Sequence, residues 1–302
     1  MKKKFAVMGI SAAVGAAMLV TTAYAGVSSS SGYDLYKTAF NNMHQAKSLT
    51  TAVNVSVTDN GSKLLTMSNE VKMNRDTKAM SDVTTIDAAN QQKTMNVYSQ
   101  NGTRIMKSSD SDVYKVLTFD GVKKHHSTST GKDTNENGEV GAVENVIDAL
   151  TQNIQNNITL KAESDGSSDV ELKLSNDQLP PVVNALASLA VQNGMNRMEN
   201  HKQTTDPFAS NVMSAFPKLT GNIKVDNVDI TANISKDSII QHQTANIEVT
   251  GNDANGKAHD ITINVTADLS NYNSTTPDTV DLNGKKVQKI QAKDLTRHNE
   301  QE

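Results

Sequence analysis

Cysteine and tryptophan are both missing from the 302 residues, aromatic residues make up 4%, and proline occurs 5 times. Without cysteine there is no disulfide framework, no zinc–thiolate site, no thiol nucleophile and no cysteine to carry a lipid anchor. So few rings also make the chain a poor platform for sugars. A surplus of positive charge is missing as well: 29 Lys+Arg face 33 Asp+Glu, for a formal net charge of −4, and the only arginines are Arg75, Arg104, Arg197 and Arg297. A general nucleic-acid binder needs a basic field to release phosphate counterions, so no nucleic-acid partner is expected. The GxSxG, HExxH, GxGxxG and Walker A signatures are absent too. S-x-x-K occurs by letters at Ser129–Lys132, in a polar stretch without its SDN and KTG companions. The expectation is a protein that is not an enzyme.

A long hydrophobic run occurs once, at the start. Lys2, Lys3 and Lys4 precede an uncharged apolar stretch from Phe5 to Val20, and Thr21-Thr22-Ala23-Tyr24-Ala25 follows with small residues at the signal-peptidase positions. The run is shorter than the roughly 20 residues a spanning helix needs. Residues 1–25 therefore read as a signal peptide cleaved after Ala25. Its removal takes three lysines and no acids, so the mature chain carries 26 − 33 = −7. No later stretch is long and apolar enough to span, so the expected location is secreted or in the extracytoplasmic cell envelope, with no transmembrane span in the mature chain. The Lys-rich, Arg-poor composition suits a Gram-positive source.

Periodicity organises the rest. A Ser-rich lead-in, 26–30, runs into Ser31-Gly32-Tyr33-Asp34, which fits a helix-capping box, and Leu35, Tyr36, Ala39, Phe40 and Met43 recur at helical spacing over 33–47. The period then drops to two. Val53, Val55 and Val57 alternate with polar residues up to the turn Asp59-Asn60-Gly61, and Leu65, Met67, Val71 and Met73 return, with Asn69 breaking the apolar face. Further strands are expected at 78–86, 92–99, 103–108 and 112–118. Val143–Ile154 reads as a second helix, 158–163 and 168–174 as a hairpin, and Leu179–Val191 as a helix apolar on most sides. Residues 194–217 read as a polar connection. Strands at 221–234, 238–250 and 257–269 complete the count, the first with a slip in alternation that places a β-bulge at Asp226-Asn227.

The expected fold class is α+β: a curved antiparallel sheet of about eleven strands, a half-barrel, wrapped around helices. One domain spans 31–289, and 290–302 form a polar tail. Four segments, Tyr33–Lys47 (YDLYKTAFNNMHQAK), Val143–Ala162 (VENVIDALTQNIQNNITLKA), Leu179–Val191 (LPPVVNALASLAV) and Lys218–Leu282 ending in NSTTPDTVDL, carry a resemblance of architecture. In that order the chain resembles the LolA/LolB-like lipoprotein-carrier superfamily, and within it the Gram-positive LppX/LprG-like exported proteins. No catalytic motif accompanies the likeness. The lipidated cysteine that tethers LolB-like and LprG-like members has no counterpart here, which leaves a freely soluble mode closer to LolA.

Such a fold implies a hydrophobic cavity for acyl chains. The residues offered for it are Val55, Met67, Met73, Met80, Met95, Met106 and Leu186, since unbranched, polarizable Met adapts to ligands of varied shape. The same Met residues also suit an irregular filled core. Two functions follow. The first is an exported, non-catalytic protein holding a lipid or other apolar ligand. The alternative is a cell-envelope protein-interaction or sensor module on the same scaffold, as in RseB-type members of the superfamily, with 194–217 as a candidate surface.

One loop matches a metal motif at every position. Asp133-Thr134-Asn135-Glu136-Asn137-Gly138, followed by Glu144 after five residues, fits the EF-hand calcium loop. Asp133, Asn135 and Asn137 offer side-chain oxygens, Glu139 its carbonyl, and Glu144 a bidentate carboxylate. The segment before it does not read as an entering helix, and a solvated loop capping the next helix fits the same letters. His125-His126 points to opposite faces of any strand. His242 and His259 sit on the last hairpin with no carboxylate cluster evident near them in sequence.

Overall fold

Alternation along each strand sets which side of the sheet is apolar. In the computed structural model, residues 31–118, 157–179 and 207–291 are described. In β1 (Ser48–Asp59) the side chains of Val53, Val55 and Val57 are buried, while Asn54 and Ser56 face the opposite way. Five strands then follow as a meander: β2 (Ser62–Asn74), β3 (Ala79–Ala88), β4 (Gln91–Gln100), β5 (Thr103–Ser108) and β6 (Tyr114–Thr118). Asn60-Gly61 and Asn101-Gly102 make the two-residue turns after β1 and β4, all four residues having positive φ, as a turn matched to strand twist requires. Next come the hairpin β7 (Ile158–Ala162) and β8 (Ser168–Ser175), the long strands β9 (Leu219–Ile234), β10 (Ile240–Asp253) and β11 (Ala258–Ser270), and a short β12 (Val287–Gln291).

These make one sheet in the order β12-β6-β5-β4-β3-β2-β1-β11-β10-β9-β8-β7. The sheet is curved and its edge strands β12 and β7 do not pair, so the half-barrel stays open. Two described helices, α1 (Ser31–Gln45) and α2 (Pro207–Ala215), pack on its inner face. Tyr36, Ala39 and Met43 of α1 meet Val53, Ile230, Ile234, Ile240 and Val265 in a continuous core. Burial pushes the Tyr36 phenol above its ordinary pKa, and its hydroxyl donates to Gln243 Oε1 at 3.3 Å. None of the helices among the described residues is long and apolar enough to cross a membrane.

The expected bulge is present. Val249 pairs with Val225 and Glu248 with Asn227, which leaves Asp226 as the extra residue on β9. Without it, Ile223 and Val225 would face away from Val228 and Ile230.

Two expectations need correction. The sheet is mixed and has a twelfth strand, because β12 pairs with β6 in parallel. The chain reaches that edge as a strap, 271–286, laid across strand after strand of the outer face. The Thr275 N–H donates to Ser48 Oγ (3.0 Å), the Asp278 N–H to Ser81 Oγ (2.9 Å) and the Val280 N–H to Gln100 Oε1 (2.9 Å). Tyr114 N–H then donates to the Lys286 carbonyl at 2.8 Å, and β12 begins. A polar strap held by side chains has no period, which is why its sequence predicts no strand beyond 257–269. The second correction concerns the connection 194–217, whose end is α2, with Val212 buried in the core and Phe208 packed against it. The expected helices at 143–154 and 180–191 lie outside the described residues, and Leu179 is buried.

Candidate ligand-binding face

Strand register decides which of the proposed cavity residues share a side. Val55 is paired with Met67 across β1 and β2, Met73 with Met80 across β2 and β3, Thr84 with Met95 across β3 and β4, and Val97 with Met106 across β4 and β5. Following these pairs through the alternation places all six residues on the inner face. Their surroundings differ. Val55 and Met67 are buried at 5% and 6% exposure and belong to the core cluster. Met73, Met80, Met95 and Met106 are half-buried and lie outside that core cluster, beside Val71 and Val97. Leu186 and the calcium-loop residues Asp133, Asn135, Asn137, Glu139 and Glu144 lie outside the described residues.

A hydrogen-bonded polar cluster interrupts this Met-rich face between Val71 and Val97. Asn69 of β2 donates from Nδ2 to Asp82 Oδ1 (2.7 Å) and to Thr84 Oγ1 (2.8 Å), and the Thr84 hydroxyl donates to the same Asp82 oxygen (2.9 Å). Asp82 is paired with Val71 on one side and Val97 on the other. Asn69 is the residue that breaks the apolar alternation in the sequence, and the break marks this network. Asp82 gave no such sign, because its own strand alternates weakly.

Cations border the face toward β6. Lys93 is bonded to Asp110 at 2.8 Å and stands 5.7 Å over the Phe208 ring of α2. That ion pair holds the Asp110 carboxyl below the usual carboxylate range. Arg104, opposite Ser99, is exposed on the same side.

Each histidine of the last hairpin has a carboxylate partner. His242 Nδ1 lies 2.6 Å from Asp268 Oδ1 on the exposed outer face. His259 is buried, with Nδ1 2.8 Å from Asp59 Oδ2 and Nε2 3.8 Å from Asp253 Oδ2. Asp59 comes from β1, about 200 residues away in sequence, so only strand pairing brings the two together. His259 Nε2 makes no hydrogen bond. Among the described residues no group of three His, Asp or Glu is placed to hold a metal ion. The pair braces the ends of β1 and β11, far from the Met-lined strands' centre.

The outer face is of another kind. Asn54, Ser56, Thr66, Ser68, Asn264 and Thr266 line a shallow trough across β11, β1 and β2. Val55, Met67, Thr85, Gln92 and Asp87 complete its lining, and the Asp87 carboxylate lies 3.2 Å from Lys63 Nζ.

No protein-family model and no curated protein sequence matches the chain. Among solved structures it is similar to the ywiB protein from Bacillus subtilis, at 6% identity and a TM-score of 0.16, covering 74% of this chain and 92% of that one. It is similar also to the LolA superfamily protein NE2245 from Nitrosomonas europaea, at 8% identity and a TM-score of 0.20, covering 84% of this chain and 96% of that one. Likeness at those scores says nothing of what this chain binds, and the reading of its function rests on its own inner face.

Proposed function

We propose that this chain is an exported, non-catalytic binding protein that holds a lipid or other amphiphile against the inner face of its half-barrel. The observation that carries the reading is the split between the two parts of that face. Toward β1 the apolar residues of the face, Val55 and Met67, are fully packed in the core cluster, whereas Met73, Met80, Met95 and Met106, with Val71, extend the apolar surface over β2–β5 and remain half-buried. Flexible thioether side chains suit a surface that must fit chains of varied length and curvature. The apolar segment Phe5–Val20 and the small-residue site ending at Ala25 support export, and the sequence resemblance to lipoprotein carriers supports the ligand class.

The test is native mass spectrometry and organic extraction of protein purified from its own host, together with uptake of a fluorescent fatty-acid analogue. Co-purifying lipid, and uptake weakened by Met95→Lys, are expected. Protein recovered without lipid that also fails to take up the probe would overturn the reading in favour of an envelope protein-interaction module.

A further inference from the structure

We infer that the inner face selects amphiphiles with a cationic, hydrogen-bond-donating head, and that Asp82 receives that head. The inference rests on the reading of the Met-lined face as a ligand surface and adds the chemistry of what it selects. Among the described strand positions of the inner face, the acids are Asp82 and, at the far end of the sheet, Asp59 and Asp253, which flank His259. Several carboxylates elsewhere have cations: Asp87 has Lys63, Asp110 has Lys93, and Asp278 has Lys72.

Asp82 has none. Its hydrogen bonds come from the Asn69 amide and the Thr84 hydroxyl, both neutral and both directed to Oδ1. Among the described residues, none bonds Oδ2. Around it stand Val71 and Val97 as cross-strand partners, Met80 two residues along the strand (about 7 Å), and Met106 one strand beyond Val97. Asp82 is half-buried, and a carboxylate partly withdrawn from water among apolar side chains gains from a cation that completes it. The two neutral donors orient the group and leave one oxygen for an incoming donor. An alkylammonium supplies a charge-assisted N–H···O bond at Oδ2 and an aliphatic chain for the surrounding Met and Val. A fatty-acid carboxylate would meet a like charge there. Arg104, on the same side two strands away, is where an anionic head would go instead, and this makes the two head classes separable.

The experiment is calorimetric titration of the full mature chain at pH 7, below micellar concentrations, with dodecylammonium, dodecanol and laurate, for the native protein and for Asp82→Asn and Arg104→Gln. Dodecylammonium should bind at least about tenfold more tightly than dodecanol. Asp82→Asn should remove that advantage without changing dodecanol binding, so that retained dodecanol binding also shows the variant is folded. Arg104→Gln should leave dodecylammonium unaffected. Equal affinity for all three probes, preference for laurate, or an ammonium preference that survives Asp82→Asn would overturn the head assignment alone. Failure of all three probes to bind would overturn the ligand-surface reading and the assignment with it.

Discussion

The turn between β3 and β4 should be a point of strain that one substitution relieves. Ala88 pairs with Gln91, so Ala89 and Asn90 form a two-residue loop, with φ of 51° and 59°. The loops after β1 and β4 have the same form, but each places Gly second, at φ 76° and 70°. An L-residue with a Cβ in the left-handed region costs about 1–2 kcal/mol, and Asn tolerates the region better than Ala. Replacing Ala89 by Gly removes that cost but adds about 0.4–1 kcal/mol of unfolded-state entropy. The net expectation for Ala89→Gly is a gain of about 0.5–1 kcal/mol, or roughly 2–4 °C in Tm per kcal/mol for a domain of this size. Gly61→Ala is the control. Its φ is 76° and an added Cβ would meet nothing within 4 Å, so the expected loss is backbone strain less the entropy that Ala removes from the unfolded chain, about 0.5–1 kcal/mol. Urea unfolding, with an unchanged m-value, reads both. If Gly61→Ala loses stability as expected while Ala89→Gly is neutral or destabilising, the strain assigned to Ala89 is wrong.

Three further outcomes follow from the same reasoning. His259→Ala should cost about 3 kcal/mol, because Asp59 is left with a buried, uncompensated carboxylate; the double variant Asp59→Leu, His259→Leu should cost less than His259→Ala alone, as thermal unfolding would show. The Asp110 carboxyl has a depressed pKa in the folded chain because of Lys93; its contribution is therefore full above about pH 4–5 and is lost as pH falls through the folded value. Asp110→Asn should flatten the acid limb of a stability–pH profile and leave the neutral region's slope unchanged. A calcium site at 133–144 predicts a higher Tm in millimolar calcium than in magnesium, abolished by Asp133→Ala with Glu144→Gln; no thermal shift and no heat of titration would reduce the loop to a turn and helix cap.

Much of the sheet was legible because half-buried strands leave a period-two trace. Val53, Val55 and Val57 mark β1 without any tertiary knowledge, and the slip between Val225 and Val228 marks the bulge, since a bulge is itself a change of phase. Asn69 was legible as an anomaly but not as a partner, because its meaning depends on Asp82 and Thr84 across a strand pairing. The helix α2 went unread: nine residues with a single buried position, Val212, leave almost no helical repeat. β12 went unread because the strap before it is held by side-chain hydrogen bonds from Ser48, Ser81 and Gln100, and such bonds leave no periodic mark.

What the sequence determined by itself was local: the strands and their apolar sides, the tight Asn-Gly turns, and, with no cysteine, the exclusion of thiol and zinc–thiolate chemistry. Those follow from residue type and spacing, which act over a few positions. Only the tertiary structure decided that Met73, Met80, Met95 and Met106 share one half-buried face while Val55 and Met67 fill the core. It alone brought Asp59 to His259, left Asp82 without a cation, and carried the chain across the outer face to a parallel edge. Each of these depends on which strands lie side by side, and strand order is set by the burial of the whole sheet rather than by any segment of it.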